Sequence, residues 1–362
     1  MQDINYMQLA LDLAQSVVNQ TAPNPSVGAV VVKNGHVIGL GCHLFAGLAH
    51  AETYALNMHP ELVKDSTLYV TLEPCSHFGK TSPCANAIIE KGLKRVVIAT
   101  LDPNPLVNGR GVKMLADAGI QVEVGILEKA AQNLNKKYFY HIVNKMPYVT
   151  LKSGMSLDGK LATSTLESKW ITGIESRIDT HSYRHDHMAI IVGVNTVIAD
   201  NPALTTHHLP NGKNPIRIIL DSNLRTPLSA EIITDRVSPT WIITNKDTSF
   251  EKIKPYLEHE LVKVIQLDMT DLKCILKELY QLGITSILVE GGNLIHTSFI
   301  EAGIFNQLIL YMAPKLIGGE NAPHFFAGNG FDKLAMAMNL NIECVTTIGE
   351  DIKIIANRKD SI

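Results

Sequence analysis

Apolar residues Met7, Ala10, Leu11, Ala14, Val17 and Val18 recur at helical spacing, which predicts an amphipathic helix over the first 20 residues, ended by Asn24-Pro25. Val27 to Val32 is a short apolar strand, Asn34-Gly35 a hairpin turn, and Val37 to Cys42 the returning partner. Ala51 to Met58 then reads as a helix carrying His50 and Glu52 at its first turn. Thr67 to Leu72 is a buried strand that delivers Glu73-Pro74-Cys75 at its end. Cys84 to Lys91 is a helix closed by Gly92, and Val96 to Thr100 is another strand. Alternation of this kind predicts an α/β sandwich for roughly the first 145 residues. A charged helix over Leu127 to Ile142 runs up to Asn144-Lys145-Met146-Pro147, where the domain boundary is placed, giving units 1–145 and 146–362. The second half alternates again, with strands predicted at 148–152, 189–193, 216–220, 240–244, 262–267, 286–290 and 307–312 and helices at 174–186, 271–282 and 293–302.

Composition narrows the function classes. A chain of 362 residues exceeds a typical single core, so two domains are expected. The formal charge is −3 and no Lys/Arg-rich run occurs, which argues against nucleic acid as a partner. No stretch approaches the roughly 20 apolar residues needed to span a bilayer, and the N-terminus has no basic, apolar leader. The five cysteines are odd in number and scattered, as in a reducing compartment, so a cytoplasmic protein is expected.

His50-Ala51-Glu52, Pro74-Cys75 and Pro83-Cys84 carry the strongest chemistry. Taken singly, His50 reads as a satisfied histidine, and either cysteine as a small buried hydrophobe. Together, one imidazole and two thiolates fill three tetrahedral positions of a zinc ion and leave the fourth for water, the catalytic pattern. Glu52, two residues past the histidine, can handle that water's protons without ligating the metal. Cys84 sits at a helix start, where the dipole favours thiolate. His77 is a rival ligand for Cys84, ranked second because it lies in a Gly-containing loop.

At these residues the chain resembles the bifunctional deaminase/reductases of riboflavin biosynthesis, and the resemblance runs essentially end to end. It is carried by Ala22-Pro23-Asn24-Pro25-Ser26-Val27-Gly28, by His50-Ala51-Glu52, and by Glu73 through Cys84 with its long inter-cysteine loop. The resemblance implies a cytidine-deaminase-like α/β/α sandwich followed by a dihydrofolate-reductase-like domain, with one zinc ion per chain and NADPH as cofactors. It further implies hydrolytic deamination of a phosphoribosylated diaminopyrimidinone, in which Asn24 contacts the base edge and His43 and Lys80 contact the ribosyl phosphate. The family's reductase domains associate, so a homo-oligomer through that domain is expected.

In the second half, Ile287 through Leu294 reads as strand, glycine turn and helix start, with no Rossmann fingerprint. The resemblance extends over Lys152–Lys160, Ser168–Thr172 and Gly193–Pro202. It implies that Gly154, Trp170, Thr196, Asp200 and Ser222 line the NADPH site with the segment Gly292, Asn293, Leu294, Ile295, His296, Thr297 and Ser298. Lys152, Ser168, Arg184, Leu204, His207 and Glu290 are then expected to face the substrate. His207 departs from the family, which often has arginine there. Histidine is a weaker, pH-dependent anion ligand, so substrate affinity is expected to fall as His207 loses its proton between pH ~6 and ~8, and His208 or Lys213 could substitute. The alternative reading, a nucleotide or RNA base deaminase with an accessory domain, predicts a basic groove and stacking aromatics, yet aromatics are only 6% of the chain.

Overall fold

The computed structural model describes every residue except Met1, Asn19, His77–Ser82, Leu106 and Asp360–Ile362. The described chain divides into two compact units, Met1–Lys145 and Met146–Ile362.

The first unit opens with α1 (Asp3–Gln15), then β1 (Gly28–Lys33) and β2 (His36–Cys42), an antiparallel hairpin. Asn34 and Gly35 both take positive φ, +51° and +79°, the conformation that such two-residue turns require. There follow α2 (Ala51–Asn57), β3 (Thr67–Leu72), α3 (Cys84–Glu90), β4 (Arg95–Thr100), α4 (Arg110–Asp117), β5 (Gln121–Val124), α5 (Glu128–Leu134) and α6 (Lys136–Asn144). The sheet order is β2-β1-β3-β4-β5, with β3, β4 and β5 parallel. Alternation along the strands feeds two cores. Val31, Leu68, Val70, Val96 and Ile98 pack with Ala55, Leu56 and Ile88 on one face. Val30, Val32, Tyr69 and Val97 pack with Met7, Ala10 and Leu11 on the other. The result is an α/β/α sandwich.

The predicted helix over Leu127 to Ile142 is two helices, α5 and α6, divided at Asn135. The physical cause is a side-chain bond pair: buried Asn135 accepts from Ser26 N at 2.8 Å and donates to Ser26 O at 2.8 Å, pinning the turn that follows Asn24.

The second unit contains β6 (Tyr148–Ser156), α7 (Ile174–Asp186), β7 (Ala189–Gly193), α8 (Val194–Asp200), β8 (Ile216–Leu220), α9 (Glu231–Thr234), β9 (Thr240–Asn245), α10 (Phe250–Ile253), β10 (Val262–Leu267) and α11 (Leu272–Gln281). It ends with β11 (Ser286–Val289), α12 (Asn293–Glu301), β12 (Gln307–Ala313), β13 (Leu340–Ile348) and β14 (Asp351–Arg358). Among the described residues, nine strands form one sheet in the order β10-β9-β8-β7-β11-β6-β12-β14-β13, parallel from β10 to β12. The closing hairpin is antiparallel and has no counterpart in the sequence expectation. Most of β13 is exposed on both faces, so its sequence lacks the apolar alternation that marks a half-buried strand. Asp351 anchors the hairpin, accepting from Gly173 N at 2.8 Å and Ser176 Oγ at 2.6 Å at the start of α7.

Close approach of α2 to β2 sets the first unit's site. A Cβ on Gly41 would stand 2.2 Å from Ala51 O, and one on Gly39 2.1 Å from Ala55 O. Gly41→Ala is therefore expected to push α2 outward and destabilise the unit by about 1–3 kcal/mol. Urea denaturation checks this; a midpoint unchanged from the parent chain contradicts the packing argument.

Candidate active sites in the two units

His50 is the N-cap of α2, Cys75 follows the end of β3, and Cys84 opens α3. These three elements bring the His50 Nδ1 to 3.2 Å from Cys84 Sγ and 3.5 Å from Cys75 Sγ. Around a tetrahedral zinc ion with Zn–N near 2.0–2.1 Å and Zn–S near 2.3 Å, such an edge would be about 3.6 Å long. The donor set fits zinc. The backbone N–H of Cys84 also donates to Cys75 Sγ at 3.2 Å. The Cys84 thiol beside it, together with His50, holds the Cys75 thiol down to about 4, while the same sharing and burial push Cys84 up. Glu52 lies in the first turn of α2, buried, with a hydrogen bond to Cys84, and desolvation raises its carboxyl above the usual range. A buried carboxyl raised in this way is better able to hold a proton and hand it on.

Asn24 Nδ2 lies 3.1 Å from His43 Nε2, and His43 Nδ1 lies 3.0 Å from Ala49 O. His43 is 3% exposed, its ring meets the His50 ring edge-on at 5.5 Å, and burial lowers its pKa. With Nδ1–H donating to a carbonyl, Nε2 accepts from Asn24. Buried His43 thus orients the Asn24 amide. Lys80 and His77 lie outside the described residues.

Sequence reasoning gave Glu73 no part. Its buried carboxylate accepts from Gly111 N at 2.9 Å, Gly109 N at 3.0 Å, Val112 N at 3.2 Å and Asp102 N at 3.3 Å. This fixes the chain immediately before Pro74-Cys75. A buried carboxylate wedged between strand and cysteine was the available signal.

In the second unit, a cavity of about 780 Å³ opens at the carboxyl ends of β6, β7 and β11. Its walls bring together Lys152, Gly154, Ser168, Trp170, Arg184, Thr196, Asp200, Leu204, His207, Glu290, Gly292 and Asn293. Gly291 makes the turn between β11 and α12 at φ +132°, and a Cβ there would meet Thr196 Oγ1 at 3.0 Å. At the centre Glu290 takes Arg184 in a two-point pair, Nε–Oε1 2.9 Å and Nη2–Oε2 3.0 Å, with Lys152 Nζ at 3.9 Å. Burial alone would raise Glu290; Arg184 and Lys152 overcome it and hold the carboxyl at about 2. Burial lowers Lys152, against the pull of Glu290.

The cavity wall brings together part of the expected set. Only Gly292 and Asn293 of the Gly292–Ser298 segment reach the cavity. Ile295, His296 and Thr297 face the core, Leu294 is 65% exposed, and Ser298 Oγ donates back to Leu294 O at 2.9 Å. The segment is a helix, and a helix turns successive side chains away from any one wall. Ser222 lines a separate cleft of about 510 Å³ with Lys246, Thr248 and Lys252. Lys213 is absent from the main cavity wall, its backbone N–H donating to His185 Nδ1 at 2.8 Å. His207 stands at the wall, but burial, His208 and Arg184 lower its pKa. The loss of charge expected between pH ~6 and ~8 therefore shifts toward more acid solution.

Residues 1–100 match the cytidine and deoxycytidylate deaminase zinc-binding region, and residues 147–354 match the RibD C-terminal domain. The chain belongs to the RibD family of riboflavin biosynthesis proteins. It is 48% identical to the RibD protein of Bacillus amyloliquefaciens, covering 98% of this chain and 96% of that one. With RibD of Escherichia coli K12 the figures are 39%, 97% and 98%. Acinetobacter baumannii RibD (form 1) has a similar structure, with a TM-score of 0.89 at 37% identity over 99% of both chains. The deaminase/reductase of Thermotoga maritima gives a TM-score of 0.86 at 32% identity over 98% of both. Membership in this family displaces the reading as a nucleotide or RNA base deaminase with an accessory domain. Zinc and NADPH are the cofactors that the two matched domains imply.

The Arg184–Glu290 pair ties acid stability to one carboxylate. Its folded pKa lies below the unfolded value of about 4.3, so the pair stabilises fully above that pH and the contribution fades as pH falls toward 2. Glu290→Gln should therefore flatten the second unit's loss of stability over this acid range, while lowering stability at pH 7. Denaturation midpoints across the range check it, and an acid limb parallel to that of the parent chain contradicts it.

Proposed function

We propose that the chain performs both reactions for which its Thermotoga maritima relative is named, deamination of a diaminohydroxyphosphoribosylaminopyrimidine and reduction of the resulting phosphoribosylaminouracil. The observation that carries the first is the convergence of His50, Cys75 and Cys84 beside a buried, protonatable Glu52. Zinc, when bound, lowers the pKa of water to about 7. Glu52 takes one proton from the attacking water and passes it to the ring nitrogen; it then takes the second from the newly attached hydroxyl and gives it to the departing amine, so that the hydroxyl becomes the carbonyl and ammonia leaves. Asn24, held by His43, hydrogen-bonds the base edge.

For the second reaction, NADPH supplies the hydride. The wall formed by Gly154, Trp170, Thr196, Asp200, Gly292 and Asn293 holds the cofactor, with Ser222 in the neighbouring cleft. Lys152, Ser168, Arg184, Leu204 and Glu290 face the substrate. Bound NADPH would supply hydride to C1′ of the opened, imine-like sugar, and buried Lys152 on the wall would give the proton that the nitrogen takes up. Lys152, Lys169, Arg177 and Arg184 outnumber Asp200 and Glu290 there, which favours phosphorylated ligands.

Chains associate through the second unit. Edge strand β13 exposes Ile342 and Val345 at 67% and 57%, and an unpaired edge is a template for another strand. All five cysteines are free thiols, and among the described residues no helix is long and apolar enough to cross a membrane; both support a cytoplasmic site of action.

Glu52→Gln is expected to keep zinc yet lose deamination by about 10²–10⁴-fold. Cys84→Ser should lose the zinc and deamination while still oxidising NADPH when given the deaminated substrate. Metal analysis paired with product mass checks both; zinc loss in Glu52→Gln would make Glu52 a ligand.

A further inference from the structure

Three imidazoles on the wall of the second unit's cavity form a cluster that neither proposed reaction uses. His181 belongs to α7, and His207 and His208 to the segment between α8 and β8. Their ring centroids stand 4.5, 4.7 and 4.2 Å apart, and one ring nitrogen from each lies within 4.8 Å of the other two. His181 is buried and its Nδ1 has no hydrogen-bond partner, an expensive arrangement for a polar atom shut away from water. His207 Nδ1 lies 3.1 Å from Thr205 Oγ1, which fixes that ring and leaves Nε2 free, as an orienting partner does for a metal-ligating histidine. His208 completes the set from the exposed rim. We propose that His181, His207 and His208 form a second metal site, for a divalent transition ion such as Zn²⁺, Co²⁺ or Ni²⁺.

The donor chemistry selects the ion. Imidazole suits zinc and the later first-row metals, whereas calcium and magnesium require oxygen ligands that this trio lacks. A tetrahedral ion with Zn–N near 2.0–2.1 Å needs nitrogen–nitrogen edges of about 3.4 Å, so rotation of the His208 ring and a small shift of the segment that carries His207 and His208 close the site. Three protein ligands leave one position open toward the cavity. The charge of Arg184 nearby is met by Glu290 at 2.9 and 3.0 Å, so the guanidinium is not an unbalanced cation facing the ion. His185 stays outside the cluster, its Nδ1 committed to Lys213 N.

Cobalt distinguishes this site from the Cys75–Cys84 centre, because thiolate ligands give intense near-ultraviolet charge-transfer bands that imidazoles do not. The full-length chain, stripped of metal with a chelator and titrated with Co²⁺, is expected to bind two ions per chain. One brings the thiolate charge-transfer band; the other adds visible ligand-field bands alone. In a His207→Ala, His208→Ala double variant, stoichiometry should fall to one with the charge-transfer band intact. His208→Asn alone, on the exposed rim, should weaken the second equivalent by about tenfold or more, with far-ultraviolet dichroism and thermal midpoint showing that both variants are folded. A parent chain that saturates at one ion, or a second equivalent that survives unweakened in both variants, would overturn the proposal.

Discussion

A carboxylate taken out of water costs several kcal/mol unless hydrogen bonds or an opposite charge meet it. Each unit places one just past the end of a central parallel strand. Glu73 follows β3 and is satisfied by four backbone N–H groups; Glu290 follows β11 and is satisfied by a guanidinium and an ammonium. Both solve the same problem, because the residues beyond a buried strand must turn while still inside the protein. The carboxylate binds the turning chain together, and the reactive side chains hang from that junction. Cys75 comes two residues after Glu73, and the glycine turn that opens the cavity comes directly after Glu290.

Legibility followed the range of the interactions. The β1–β2 hairpin and the convergence of His50, Cys75 and Cys84 were readable because each depends on residues close in sequence or on a donor set with few alternative uses. Strand positions in the second half were readable because strands buried on both faces are continuous apolar runs. What escaped depends on distant partners. The break at Asn135 exists because its amide meets Ser26, more than a hundred residues away, and nothing near Asn135 announces this. The lowered pKa of His43 comes from its burial, and the core-facing turn of His296 from packing against β6, where its Nε2 lies 3.1 Å from Lys152 O.

The β13–β14 hairpin shows how an element of weak sequence signal acquires positional influence. Asp351, at the hairpin's turn, ties down the first residues of α7. The last turn of that helix carries Arg184, and its buried middle carries His181. A helix held at its first turn by a carboxylate gains from its dipole as well as from hydrogen bonds, so the sheet's far edge helps set the height at which the guanidinium meets Glu290.

The strand order has a further consequence, for synthesis on the ribosome. The first unit's sheet uses only residues up to Val124, so its two cores can close while the rest of the chain is still being made. The second unit cannot begin to do so as early. β6 starts at Tyr148 and β7 at Ala189, yet the strand between them, β11, starts at Ser286. Until β11 emerges, two apolar strands wait with unpaired inner edges, the exposure that slows folding and invites wrong pairing. A deaminase that is complete early thus travels at the head of a reductase whose central strand arrives late.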